Sequence, residues 1–310
     1  MTEPGNQTYS FLIGEDDIDE RVDKFLAREL CDLSRSYIQK LLKEGRVLLH
    51  EKPVKANYKL KEDDEITFTI PPMKELAVEA EDIPLDILYE DEDLIFINKP
   101  KDMVVHPCAG RYSGTLVNGL LYHCKDQLSG INGVLRPGIV HRIDKDTTGV
   151  LVICKNDKAH RCVADQLKVH SITRKYRAIV HGIVKEDGMV DAPIGRSPKD
   201  RKKMAINEKN GKRAVTHYKV LEHLKGKYTY IECQLETGRT HQIRVHMASL
   251  GHPVAGDPVY GPKKVIEKLG GQCLHAKKIG FIHPSTGAYL EFDSELPAYF
   301  KSFLAGIPQK

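Results

Sequence analysis

The sequence predicts an α+β protein: a large, mostly antiparallel mixed sheet domain preceded by a small α/β domain. Strand-like runs outnumber helical ones and cluster after residue 85. Two amphipathic helical stretches followed by short strands stand apart within residues 20 to 72, and a Pro- and acid-rich segment, 73 to 84, separates the two regions. At 310 residues the chain is long enough for a domain of about 200 residues plus a small one. Its 41% hydrophobic and 29% charged residues are those of an ordinary soluble protein.

Residues 1 to 19 read as a polar, acidic tail. From Glu20 to Leu30, the residues Val22, Phe25, Leu26 and Leu30 recur at helical spacing and make one apolar stripe. Ser34 is a good N-cap for a second helix, which runs to Glu44 and stops at Gly45. There Tyr37, Ile38 and Leu41 share a face opposite Arg35, Lys40 and Lys43. A short strand and turn follow at Arg46 to Val54, then an alternating strand at Asp63 to Ile70 that Pro71-Pro72 ends.

The large domain, 85 to 310, opens with a strand pair at Ile87 to Glu90 and Leu94 to Ile97. Thr115 to Cys124 and Asp157 to Val169 read as amphipathic helices. Lys175 to Val180, Ala214 to Leu221, Tyr228 to Leu235, Lys278 to Ile282 and Tyr289 to Phe292 read as strands, and His241 to Ser249 as a helix.

The net charge of +4 hides an uneven distribution. Residues 73 to 97 hold one lysine against nine acids, whereas 196 to 213 hold eight Lys or Arg against two acids and 155 to 177 hold seven against two. Such asymmetry suggests a polyanion-binding face, with solvated loops as the plainer reading of any one stretch. Seven cysteines without a CxxC pair argue for reduced, mostly buried thiols. His106 with Cys108 and His123 with Cys124 lack the spacing of a tetrahedral metal site. No run of about 18 apolar residues is present and the N-terminus lacks a basic, then apolar, leader, so no membrane span and a cytoplasmic location are expected.

The chain is organised around residues 138 to 154, where the β-branched runs Ile139 to Ile143 and Val150 to Ile153 read as strands of a hairpin. Asp144 then sits where a strand ends and a turn begins, and Arg142 and Lys145 flank it with positive charge, which favours the carboxylate form. That is what a nucleophile or base needs, although Asp144 and Asp146 can equally serve turn chemistry alone. The loop Asp144-Lys145-Asp146-Thr147-Thr148-Gly149 is superficially similar to the aspartyl-phosphate loop of haloacid-dehalogenase-type phosphatases. Against that, His141 and Arg142 interrupt the apolar strand, and no downstream Lys and paired-acid segment is found to hold a metal.

Residues 20 to 72 resemble the small S-four RNA-binding domain through Arg21 to Leu26, Leu33 to Ser36, Gly45 to Val47 and Asp64 to Ile66, with His50 where that family commonly has Asn. The resemblance implies that Arg35, Lys40, Lys43 and Arg46 face RNA. From about residue 85 onward, His141 to Gly149, Arg174-Lys175-Tyr176 and Gly238 to His246, with Asn98-Lys99-Pro100 and Val105-His106-Pro107 ahead, resemble the RluA/RluD-type pseudouridine synthases; Ile143 and Thr148 replace the commoner Leu and Ser. The resemblance implies a pseudouridine synthase fold with Asp144 as the catalytic aspartate, a nucleophile or base, Tyr176 as the active-site tyrosine, whose ring stacks on the freed uracil and whose hydroxyl helps remove the C5 proton, and Arg244 as the arginine paired with Asp144.

Arg142 and Arg239, within those motifs, are expected to contact RNA. The implied partner is ribosomal RNA of the large subunit or a pre-ribosomal particle, with the protein a monomer. The isomerisation involves no redox step or phosphoryl transfer, so no cofactor or metal is expected. The alternative of a different class is a non-catalytic RNA-binding or ribosome-assembly factor. His241 and His246, five apart, are not spaced as two metal ligands on one helix face, and read as structural or RNA-contacting.

Overall fold

The computed structural model describes residues 7–306 except 31–34, 71–77, 109, 126, 132, 134–135, 201–202, 226 and 265. The chain divides into two compact units, Met1–Glu75 and Leu76–Lys310.

In the first unit, β1 (Gln7–Leu12), α1 (Val22–Glu29), α2 (Arg35–Lys43), β2 (Val47–Leu49), β3 (Lys52–Pro53) and β4 (Glu65–Ile70) follow in order, and the strands form a sheet in the order β1-β4-β2-β3. Part of the expected acidic tail is therefore a strand. Residues 7 to 12 pair antiparallel with β4 from Gln7↔Ile70 to Leu12↔Glu65, because β4 has an open edge that an extended segment satisfies regardless of its side chains. The helices bury Val22, Phe25, Leu26, Ile38 and Leu41 against Val47, Ile66 and Phe68. Each such side chain contributes about 2 kcal/mol of burial. Asp23 is fully buried between Arg21 and Gln39, whose amide donates to it at 2.6 Å and ties α2 to α1.

The second unit holds β5 (Ile87–Glu90), β6 (Leu94–Lys99), α3 (Leu116–Cys124), β7 (Thr148–Cys154), α4 (Asp157–Lys168), β8 (Thr173–His181), β9 (Gly188–Asp191), β10 (Ile194–Arg196), β11 (Met204–Ile206), β12 (Val215–Leu224), β13 (Tyr228–Leu235), α5 (Gln242–Ser249), β14 (Leu274–Ile282), β15 (Tyr289–Asp293) and α6 (Ala298–Ala305). Among the described residues, nine strands form one mixed sheet, ordered β5-β6-β7-β14-β8-β13-β12-β9, with β15 beside β14. Only β7 and β14 run parallel, so the sheet is mostly antiparallel as expected. Thr115 caps α3 with a reciprocal Asn118 bond and Asn156 caps α4. Residues 79 to 81, expected within the linker, bond to α3: Glu81 N–H donates to Asn118 O, and the Asn118 amide to Glu79 O.

The hairpin expected at residues 138 to 154 does not form. Residues 139 to 143 are irregular, with a single bridge from Ile139 to Ile153. The edge of β7 that they were to occupy is taken at its start by β14, through His275↔Thr148 and Ala276↔Gly149. Farther along it, Cys154 N–H donates to Gly138 O and Val152 N–H to the imidazole Nε2 of His141. A side chain thus replaces a strand's carbonyl, and the chain is free to bend toward Asp144. Gly149, at φ 115°, lets β14 cross this close, since a Cβ there would collide with the Ala276 carbonyl.

Candidate active site

Asp144 begins a tight turn in which Thr147 N–H donates to its carbonyl at 3.0 Å. Two side chains hold the turn from outside. Gln272 donates to Thr147 Oγ1 at 3.0 Å. Lys99, wholly buried at the end of β6, donates to the carbonyls of Pro100, Met103 and Lys145 at 2.7, 2.9 and 3.0 Å, so each of its three N–H bonds has an acceptor. Burial pushes the Lys99 pKa down to about 7 against the pull of Asp146, Asp144 and Asp102.

The charges flanking Asp144 in sequence point elsewhere. Exposed Arg142 donates to His106 Nε2 at 2.9 Å, and Lys145 reaches Asp102. The cation on Asp144 is Arg244 of α5, whose Nη1 donates to Oδ2 at 2.9 Å. The same guanidinium grips Asp257 with two parallel bonds, Nε to Oδ2 at 2.7 Å and Nη2 to Oδ1 at 2.9 Å. Sequence reasoning missed Asp257. It lies in Gly256-Asp257-Pro258, which reads as a turn, and its Oδ1 does accept turn bonds from Val259 and Tyr260 N–H. Burial opposes the Arg244 charge, but Asp257 and Asp144 outweigh it and hold its pKa above the ordinary value. In return, burial alone would raise Asp257, yet the bonds from Arg244 keep it below the carboxylate range.

Helix α5 is itself aimed by a polar network. Its N-cap, His241, stands in the left-handed region at φ 58°. Gln242 accepts from Thr237 Oγ1 and Arg239 N–H at 2.8 and 2.9 Å and donates to Val215 O and Thr216 Oγ1. His246 is fully buried, donating from Nε2 to Ala192 O, with Thr216 Oγ1 at 2.9 Å from Nδ1. Its role is structural. His241 differs: Tyr260 O–H, which accepts from Met204 N–H, lies 2.8 Å from its Nδ1, and its Nε2 faces Asp144 Oδ1 at 3.9 Å.

Asp144, Tyr176, Arg244, Arg142 and Arg239 all line one cavity of about 550 Å³. Tyr176 projects from β8 and is 9% exposed. Burial lifts its phenol above the ordinary value, Arg174 pulls the other way, and Asp144 adds to the rise. Half-buried Arg239 donates from Nε to Arg213 O. In the first unit Lys40, Lys43 and Arg46 are exposed, Lys40 lying 3.7 Å from Glu44; the Arg35 side chain lies outside the described residues. Among the described residues no cluster of His, Cys, Asp or Glu suited to a metal ion occurs.

A carboxylate held by a buried arginine, beside a buried aromatic ring in an open cavity rich in cations, is an arrangement suited to an enzyme that works on one unit of a polyanion. Residues 93–249 match the RNA pseudouridylate synthase family and residues 20–66 the S4 domain. An uncharacterized RNA pseudouridine synthase of Bacillus subtilis, YlyB, is 55% identical over 91% of this chain and 92% of its own. Ribosomal large subunit pseudouridine synthase D of Escherichia coli is 42% identical over 92% and 90%, and that of Zymomonas mobilis 49% over 94% of each. The structure of human RNA pseudouridylate synthase domain containing 1 superposes with a TM-score of 0.55 at 26% identity, covering 74% of this chain and 98% of that one. The chain belongs to the RNA pseudouridine synthases, isomerases that convert uridine to pseudouridine in RNA, and it carries an RNA-binding S4 domain.

Proposed function

We propose that this enzyme isomerises uridines of large-subunit ribosomal RNA, with Asp144 acting at the ribose, Arg244 fixing Asp144, and Tyr176 packing against the uracil. The substrate follows from relatives named as synthases of the ribosomal large subunit. The observation that carries the assignment of roles is the Asp144–Arg244–Asp257 chain at a cavity lined by Tyr176.

The reaction breaks the bond from uracil N1 to ribose C1′, turns the base, joins C5 to the same carbon and releases the C5 proton, while the freed N1 takes one up. Stacking hides the glycosidic bond, so the nucleotide must first leave its stack, and a ring such as Tyr176 replaces the lost contact. Arg244 orients Asp144 for attack on C1′, for stabilising positive charge there, or for removing the 2′ proton. Tyr176 offers its ring to the freed uracil and a hydroxyl that can help remove the C5 proton, with burial lifting the phenol above its ordinary value. The exposed cations Lys40, Lys43 and Arg46 of the S4 domain are the complementary backbone contacts. The test is tritium release from RNA labelled at uracil C5, comparing transcripts of large-subunit ribosomal RNA with transfer RNA: release from the first supports the assignment, and release from transfer RNA alone refutes the substrate.

A further inference from the structure

We propose that Arg174 anchors a phosphate subsite in the active-site cavity, where it holds a backbone phosphate beside the target nucleotide. This rests on the reading of the cavity as the uridine site. Arg174 lies two residues before Tyr176 on β8, so both project from the same face of the strand, about 6.6 Å apart along it, within the span of one nucleotide. It lines the cavity and is 7% exposed. One Nη2 bond, to Glu236 O at 2.7 Å, fixes the guanidinium; its buried Nε has no hydrogen-bond partner among the described residues, and no carboxylate there pairs with it.

A buried cation with an unused N–H is costly to hold, and a ligand that supplies an anion removes the cost. The surroundings specify which ligand. Among the described residues lining the cavity Asp144 is the only acid, already bonded to Arg244, while Arg142, Lys168, Arg174, Arg239 and Arg244 are cations. Burial works against the Arg174 charge, and Arg239 adds repulsion. A neutral uracil edge relieves none of that repulsion; a phosphate does, accepting two parallel bonds from Nε–H and an Nη–H. Gly238 leaves the room, since a Cβ there would lie 2.7 Å from Arg174 Nη1.

The test measures affinity of the full chain for a large-subunit ribosomal RNA transcript across a salt series, together with single-turnover tritium release. Arg174→Met should weaken binding about tenfold and reduce the slope of log affinity against log salt by about 0.7. Arg174→Lys, which keeps the charge, should retain the slope. An unchanged slope in Arg174→Met, whatever its activity, overturns the proposal and would assign the side chain to the base or to the fold. If that variant does not fold, Gly238→Ala takes its place: displacement of the guanidinium should lower the slope likewise, and an unchanged slope again overturns it. Asp144→Asn tests the underlying reading separately, because it should abolish release and leave the slope intact. Surviving release would take the chemistry away from Asp144 without touching the phosphate contact.

Discussion

Arg244 is the residue on which the site turns, because one guanidinium serves two carboxylates with different duties: Asp257 fixes it and Asp144 uses it. Removing the fixed partner leaves a buried charge, so Asp257→Asn should cost about 3 kcal/mol in urea denaturation and lower the turnover rate while RNA affinity holds. Tyr176→Phe, which keeps the ring, should retain more activity than Tyr176→Ala; equal losses would instead give the work to the hydroxyl. Asp144, Tyr176 and Arg244 were legible because they sit in long motifs. Asp257 was not, since its turn bonds to Val259 and Tyr260 explain a Gly-Asp-Pro segment without any distant arginine.

At the scale of elements, most strands and capped helices followed from local pattern, as with α3 behind Thr115 and α4 behind Asn156. Residues 139 to 143 have strand composition but form no strand, because β14, more than a hundred residues later, takes the start of the β7 edge and the His141 side chain takes the place of a backbone carbonyl farther along it. Composition cannot show that competition. The turn between β2 and β3 is a second case. His50 and Glu51 stand at φ 45° and 64°, the two left-handed positions of a tight hairpin, which explains why Asn suits position 50. Glu51→Gly should therefore stabilise the S4 domain by about 1 kcal/mol in thermal denaturation; destabilisation would mean that the turn is not under strain.

For the whole molecule, charge set in the right place matters more than the net +4. In the basic stretch at 196 to 213, Arg196 ends β10 and pairs with Met204 at the start of β11, while Arg201 and Lys202 lie outside the described residues. A half-buried and a fully buried histidine make the second unit sensitive to acid. His141 must stay neutral to accept from Val152 N–H, and burial pushes it down to about 3; His275, between Thr148 and Ser294, is pushed down to about 4. Above the ordinary value of 6.5 neither folded nor unfolded chain protonates these rings. As pH falls below it, only the unfolded chain binds the protons, so the fold loses about 1.4 kcal/mol per pH unit for each histidine. Urea midpoints should drop steeply from pH 6.5 to 5, and His141→Gln, whose amide oxygen can accept the same bond, should show a shallower drop.

The central claim is that Asp144, held by Arg244, performs the isomerisation. Its most direct test is tritium release from C5-labelled large-subunit ribosomal RNA by Asp144→Asn, with RNA affinity measured on the same preparation. The account predicts no release with affinity within about twofold of the unaltered enzyme, since the amide keeps the shape and loses only the charge. Substantial release from that variant would contradict it and move the chemistry to another residue of the cavity.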